Sequence, residues 1–344
     1  MGSLPIPSGI PGRRPTLRDV AALAGVSFKT VSRVVNEEPG VSAEVAQRVR
    51  LAADTLGYRP NAAATALRRA DHRTATFGVL LEDASNPFFA TLLRGIEDVA
   101  RQRGIAVFTS STDLEADRER DMAAAFIARQ VDALIAAPTE SDAHHLQRAL
   151  DQGVRVVLVD RPVEGLDAPA VLIDNRLGAR DGVDHLIAHG HRRIGYVGRD
   201  PSIYTSRGRF AGYVDALESA GIPLDPALVR REGATRTSAQ ALIEALLDLD
   251  DAPTALFTAQ DIITMTAVSV LQRRGLSERV ALVGFDDFEL ADLLQPGVTV
   301  IAQDSRRIGA LAAELALNPD ATEPSVHLVP TRLIARGSGE IRLG

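Results

Sequence analysis

The sequence predicts an α/β protein in two parts: a three-helix, helix-turn-helix headpiece, then a two-lobed body built on parallel sheets. Three observations point there. Residues 16–36 read as two short helices around a glycine turn. From Thr74 onward, short β-rich runs alternate with amphipathic helical stretches in two successive series, the pattern of βαβ units. Charge divides at the same place. Residues 13–70 hold ten Arg/Lys against five acids, and residues 1–12 carry no charge, so a chain total of −7 leaves −12 on residues 71–344. A basic head on an acidic body is the footprint of local phosphate attraction.

Residues 1–15 are rich in Gly, Pro and Ser and lack the apolar stretch of a signal peptide; they read as a disordered arm or a tag remnant. Thr16 then serves as an N-cap, with Asp19 completing a capping box. Val20, Ala21, Leu23 and Ala24 give an apolar face at helical spacing. Gly25 supplies the turn, where a left-handed backbone carries little steric cost. Ser27 caps the second helix, and Val31, Val34 and Val35 turn inward. That leaves Phe28, Lys29, Thr30, Ser32 and Arg33 facing out, side chains that suit guanine edges, phosphates and thymine methyls. Lys29 is the one lysine of the chain. A third helix opens at Ser42 and runs to about Leu56, with Val45, Val49 and Leu56 on one face. Gly57 stops it, Asn61 caps again, and residues 62–69 form an alanine-rich segment with one large apolar residue, Leu67. Two short helices around a glycine can be purely structural, but the third helix and this segment follow in order and favour the DNA-reading interpretation.

Residues 16–36, the run Tyr58-Arg59-Pro60-Asn61 and the Ala64/Leu67 pair resemble the LacI/GalR family of bacterial transcription regulators. The resemblance implies a headpiece over residues 16–60 and a hinge helix with linker over 61–73. In that family the hinge folds on DNA and two of them lie side by side in the minor groove. A helix this short is unstable alone in water, and an apolar wedge can unstack and kink a base step. By resemblance, Thr16, Leu17, Ser27, Asn36, Tyr58, Asn61, Ala64 and Leu67 join the five outward residues in touching DNA, with Leu67 as the wedge.

In the body, residues 76–81, 106–110, 133–136 and 154–159 read as strands, with helices over 88–103 and 115–130. A second series follows at 194–197, 229–232, 255–257 and 280–285. Each lobe then offers ligand positions at the carboxyl ends of its strands. The resemblance extends through this body, carried by Asn86-Pro-Phe-Phe89, Arg94-Gly-Ile-Glu97, Val159-Asp-Arg161, Asp174-Asn175, His189-Gly-His-Arg-Arg-Ile-Gly195, residues 207–212, Asp261, Val283-Gly-Phe-Asp-Asp287 and Gln303-Asp304. It implies a ribose-type, periplasmic-binding-protein-like sensor. The N-terminal lobe would comprise 74–173 plus 303–330, and the C-terminal lobe 174–302 plus 331–344. The chain ends soon after Ile334, without the leucine-rich tail helix that makes some relatives tetramers, so a homodimer on a palindromic operator is expected.

Sugar recognition needs planar hydrogen-bonding groups around the ring edge and apolar faces above and below. Asp160, Arg161 and Asp286 follow strongly apolar strands, and Arg209 and Gln260 can engage two hydroxyls each. Asn86, Phe88 and Phe89 begin a helix. By similarity to ribose-type members, these and Gln303 hold a small effector, a monosaccharide or a derivative of one. Individually, Asp160–Arg161 reads also as a surface pair, Asp286 as a helix cap, and the phenylalanines as core. As a set, the ligand reading is preferred for Arg209, Asp286, Asp160 and Phe88. Two departures bear on the ligand. Gln260 stands where relatives usually carry Asn, and Thr235, followed by Arg236, stands where many place a stacking aromatic. The chain has no Trp. A pentose-like or modified ligand is expected, acidic if Arg236 points inward.

The chain has no cysteine, which excludes disulfides, thiolate chemistry and cysteine metal sites. His144, His145, His185, His189 and His191 have no carboxylate at a clear ligand spacing, and there is no Walker loop or serine elbow. No enzyme activity, cofactor or metal is expected. With neither signal peptide nor membrane-spanning run, the expected location is the cytoplasm. The alternative function is a cytoplasmic sugar-binding or sugar-processing protein that does not regulate DNA. The effector's identity and the sign of its action are open at this level.

Overall fold

The computed structural model describes residues 15–36, 38–59, 74–139, 144–233, 235–318 and 324–342. Two compact units divide at Thr74. The first holds α1 (Leu17–Ala24), α2 (Phe28–Val35) and α3 (Ala43–Leu56). Thr16 caps α1 in a full capping box with Asp19, and Gly25 ends it at φ 62°, a left-handed conformation that Gly adopts freely. Ser27 and Ser42 accept the Thr30 and Val45 amides to start α2 and α3. Val20, Val31 and Val49 are the fully enclosed centre. Burying each is worth roughly 1.5–3 kcal/mol. Val35, Val45 and Leu56 pack only at the edge of this core, and Ala52 takes the inner position on α3. With so few large side chains, close approach of three capped helices has to do most of the holding.

The second unit carries two six-stranded sheets. The first is formed by β1 (Thr76–Leu81), β2 (Ala106–Ser111), β3 (Ala133–Ala136), β4 (Arg155–Val159), β5 (Ala170–Leu172) and β11 (Val326–Leu328). Its order is β11-β5-β4-β3-β1-β2, and every pair is parallel. The second has β6 (Ile194–Val197), β7 (Val229–Arg230), β8 (Ala255–Thr258), β9 (Ala281–Phe285), β10 (Thr299–Gln303) and β12 (Thr331–Ile334), ordered β12-β10-β9-β8-β6-β7. Only β12 runs antiparallel to its neighbour. Inner strands such as β3, β8 and β9 are buried along their length, as parallel strands covered on both faces must be.

The helices are α4 (Pro87–Gln102), α5 (Ala116–Ala128), α6 (His144–Asp151), α7 (Asn175–Ala188), α8 (Tyr204–Ser219), α9 (Arg236–Leu247), α10 (Asp261–Arg273) and α11 (Ser305–Leu317). The chain passes from the first sheet to the second between β5 and α7, returns between β10 and α11, and crosses again between β11 and β12. In each sheet the strand order reverses about its first strand, β1 or β6, and open α/β sheets hold ligands outside the carboxyl ends at such a point. The strands at 170–172, 299–303, 326–328 and 331–334 are additions to the sequence expectation. No described helix is long and apolar enough to cross a membrane.

Two helix pairs clamp the lobes, α4 on α11 and α7 on α8. In the first, Gly95 and Gly309 meet the opposite backbone reciprocally. A Cβ on Gly95 would lie 2.1 Å from the Arg306 carbonyl oxygen, and one on Gly309 would lie 1.9 Å from that of Leu92. Neither neighbour is a side chain that can swing away, so an added methyl must separate the helices. Gly309→Ala should therefore cost about 3 kcal/mol, read in calorimetry as a fall of about 8 °C in the body's melting midpoint. An unchanged midpoint would show that the pair has slack.

Candidate ligand cleft and nucleic-acid interface

The chemistry-bearing residues of the body sit where the strands end. Glu82 follows β1, Asp160 and Arg161 follow β4, Arg199 lies just past β6, Gln260 past β8, Asp286 past β9, and Gln303 is the last residue of β10. Asn86, Phe88 and Phe89 come from the start of α4, and Thr205, Ser206 and Arg209 from the first half of α8. Together they line one cavity. All nine ligand residues named from the sequence fall in this lining, contributed by both lobes. Phe89 is also core, packing edge-to-face on Phe88 with ring centroids 4.9 Å apart.

Asp160 and Asp286 share an unusual backbone. Each lies in the left-handed region, at φ 66° and 72°, directly after a strand. The Asp160 amide still donates to Val171 O at 3.2 Å, and the Asp286 amide to Ile301 O at 2.9 Å. Each therefore closes its ladder before the chain turns. Non-glycine residues in this region carry local strain, and such strain concentrates at functional sites.

Every charge in the cavity is answered. Arg161 donates to Asp160 Oδ2 at 3.0 Å, to Pro138 O at 3.3 Å, and to Glu82. Arg199, from the other lobe, donates to Glu82 Oε1 at 2.5 Å. Burial would raise the Glu82 carboxyl, but the two guanidiniums outweigh it and hold it below the usual carboxylate range. At Asp160 burial wins and pushes the carboxyl up, against Arg161 and Arg209. Arg209 is locked from three sides: Nε on Asn175 Oδ1 at 2.8 Å, and Nη1 on Ala259 O at 2.8 Å and Asp286 Oδ2 at 3.1 Å. Its guanidinium lies 3.8 Å over the Phe285 ring. The lining thus holds Arg161, Arg199 and Arg209 against Glu82, Asp160 and Asp286, with no excess of either sign.

What the cavity offers is acceptors. Gln303 Nε2 donates to Asp286, which fixes its amide orientation and leaves Oε1 buried without a partner among the described residues. Gln260 Oε1 and Asp261 Oδ2 are likewise unpartnered. An unanswered buried acceptor costs about 1–3 kcal/mol, so a ligand that brings hydroxyl donors is favoured here. Arg236 and Thr235 do not line the cavity. They are exposed at the start of α9, where Thr235 is the N-cap, so the premise for an acidic ligand fails.

The sequence reading passed over Glu82 and Arg199. Glu82 directly follows the first strand of one sheet and Arg199 lies two residues past the first strand of the other, and attention to that position would have found them. It noted Asp261 without assigning it to the site; Asn86 Nδ2 reaches Asp261 Oδ1 across the cleft at 3.4 Å. Four of the described histidines serve the scaffold. His145 pairs with Glu119 at 2.8 Å, and His185 with Glu340. His189 bonds its own helix, and His191 holds Thr254 and the Ile341 carbonyl at 3.0 and 2.7 Å.

In the headpiece, Phe28 and Lys29 are the exposed residues of the outward face of α2. Thr30 bonds Ser27 at 2.9 Å, Ser32 accepts from Asn36 at 3.3 Å, and Arg33 lies 4.0 Å from Glu38. These polar groups are held within the helix and its flanks. Thr16 is engaged in its capping box, and Leu17 and Tyr58 pack partly on the headpiece core. Asn61, Ala64 and Leu67 lie outside the described residues.

Comparison with known proteins finds a family match in each of the two units. Residues 16–61 match the family described as bacterial regulatory proteins, lacI family, and residues 183–339 match a periplasmic binding protein-like domain. Catabolite control protein A of Priestia megaterium is 33% identical over 331 residues, 94% of this chain and 98% of that one. The solved complex of the transcriptional regulator CelR with cellobiose is 30% identical, with a TM-score of 0.71 over 94% of this chain and 100% of that one. The lac repressor dimer bound to operator and the anti-inducer ONPF is 27% identical, with a TM-score of 0.82 over 95% and 99%.

Asp261 makes the site sensitive to pH. Burial, and then the charge of Asp286, push its carboxyl up to about 6, against the Ile262 amide, Asn86 and Arg209. The folded value lies above the ordinary 3.8, so the anion costs stability. That cost is absent below the ordinary value, grows as pH rises through the window between the two, and is complete above about 6. Asp261→Asn should raise the melting midpoint more at pH 7.5 than at pH 4.5, about 1.5 units above and below the folded value. Equal changes at both would overturn the assignment.

Proposed function

The chain belongs to the lacI family of bacterial regulatory proteins, and from that premise we propose that it represses transcription by binding a palindromic operator as a homodimer, under control of a sugar-like effector. The observation that carries the sensor half is the cavity shared by both lobes. Glu82–Arg199 and Asn86–Asp261 already bridge it. A ligand with hydroxyl donors adds contacts to Gln260 and Gln303 in one lobe and to Asn86 and Asp160 in the other. Such a ligand favours one relative arrangement of the lobes, and linkage then biases the DNA-binding state by the difference in its affinity for the two.

The DNA half follows from α2. Two such helices in a dimer read successive major grooves, with Lys29 and Arg33 supplying donors to bases and phosphates, while paired hinge segments set Leu67 into the minor groove between them. The positive headpiece supplies the salt-dependent part of the affinity, and the acidic body keeps the rest of the molecule off the duplex.

Band shifts against DNA from beside the protein's own gene test this reading. Specific binding that weakens as salt rises is expected, and none at any salt would favour a sugar-binding protein without a regulatory role. Lys29→Ala should weaken operator binding by about tenfold or more. Leu67→Ala should do the same by about tenfold, leaving sugar-induced melting shifts intact; unchanged operator affinity would refute the wedge.

Arg209→Lys separates the two halves from the other side. Lysine cannot satisfy Asn175, Ala259 and Asp286 together from one planar group. The variant should lose the melting shift produced by sugars in the parent while keeping salt-sensitive operator binding. A retained shift would remove Arg209 from the effector site.

A further inference from the structure

One buried carboxylate of the first lobe lies outside the cleft lining. Glu119, in the first turn of α5, is 1% exposed, and its partner His145, near the start of α6, is 7% exposed. Drawing ionised groups out of water is costly unless hydrogen bonds complete them. Burial would raise the Glu119 carboxyl, but His145 and Thr139 outweigh it and hold it below the usual carboxylate range. Its two oxygens take different partners. Oε1 faces His145 Nε2 at 2.8 Å, which ties α5 to α6, whereas Oε2 accepts the Thr139 amide at 2.6 Å. Among the described residues no guanidinium reaches it.

Thr139 belongs to the cleft. With Pro138 it lines a second cavity that shares Arg161 with the inner one. The peptide that offers its N–H to Glu119 is the same peptide whose carbonyl, that of Pro138, accepts from Arg161 Nη1 at 3.3 Å. One planar unit is therefore gripped at both ends, by a carboxylate on its amide and a guanidinium on its carbonyl. The two charges polarise it in the same sense, so each bond strengthens the other. The Thr139 hydroxyl fixes it further by donating to Thr112 Oγ1 at 3.3 Å, and the Thr112 amide donates at 2.8 Å to the carbonyl of Leu81, the residue before Glu82. We infer that Glu119, held by His145, is a positioning residue of the effector site: through the peptide between Pro138 and Thr139 it sets where Arg161 stands against Asp160 and Glu82. This rests on reading the inner cavity as the effector site. A pair that only fastened α5 to α6 would need one carboxylate oxygen; the second reaches the cleft wall. The bonds then run from His145 in the helix layer through Glu119, the peptide, Arg161 and Glu82 to Arg199 of the other lobe.

Two mild variants separate reach from charge. Glu119→Gln keeps the length and an acceptor for the Thr139 amide, and its own amide can donate to His145 in the other tautomer. Glu119→Asp keeps the charge but is shorter by a methylene, so it cannot serve both partners. Calorimetric titration of the full chain with D-ribose, D-glucose, D-galactose and cellobiose would compare the parent with both variants. For a sugar that binds the parent, Glu119→Asp should weaken binding about tenfold, as a loosened supporting contact does, while Glu119→Gln should stay within about twofold. Both variants should keep salt-sensitive operator binding, which shows them folded. Equal affinity in all three proteins, equal losses in both variants, or a loss confined to Glu119→Gln would overturn the inference with the effector site intact. Failure of every sugar to bind the parent would instead remove the sugar site, and this inference with it.

Discussion

Buried carboxylates at the ends of parallel strands have to be answered by guanidiniums, and the whole cleft is arranged around that constraint. Glu82 and Asp160 in one lobe and Asp286 in the other are drawn out of water, where an unpaired charge costs several kcal/mol. Arg161 answers two of them within its lobe, Arg209 answers Asp286, and Arg199 reaches Glu82 from across the cleft. Because each guanidinium is planar and holds several partners in fixed directions, the pairs position backbone as well as charge. The result is a rigid, neutral frame. Specificity is left to the uncommitted amide oxygens and to the walls.

The same constraint sets how the two lobes face each other. A pair formed within a lobe does not care how the lobes are arranged, but Glu82–Arg199 and Asn86–Asp261 exist only when the strand ends face each other. Their energies are small beside the cores that hold each lobe, so they can be exchanged for ligand contacts without disturbing either fold. Small differences suffice: a coupling of about 1–3 kcal/mol changes an affinity by 5–150-fold. The charge split along the chain serves the same end, since the basic headpiece sets the overall attraction to DNA and the lobes need only bias it.

The headpiece was legible because its signals are local. Thr16 with Asp19, Gly25, Ser27 and Ser42 announce helix ends within four residues, and each cap forms as the spacing predicts. The longer strands of the body were legible from apolar runs, and the nine ligand residues lie at their ends or on the helices beside them. The gaps have physical causes. β5 and β11 are three residues long, and β12 follows Pro330 directly, so no periodicity can develop in them. Glu82 and Arg199 are an ordinary acid and an ordinary base 117 residues apart, and nothing local in either says that they meet. Arg236 misled for the opposite reason: its neighbours in sequence pointed to the cleft, while the Thr235 cap turns it outward at the start of α9.

The two lobes solve one problem twice, and the comparison shows where they differ. Numbered from the edge, β2-β1-β3-β4-β5 of the first sheet corresponds to β7-β6-β8-β9-β10 of the second. Asp160 and Asp286 then occupy the same place, one residue past the equivalent strand, in the same left-handed turn, each with its amide on the neighbouring strand. Glu82 and Arg199 also correspond, both lying just past the strand about which the order reverses. Here the lobes carry opposite charge. Identical groups at these positions would repel across the cleft and hold it open; an acid facing a base draws it together. The repeated aspartates make two equivalent walls, and the single reversal of sign between Glu82 and Arg199 makes them face each other.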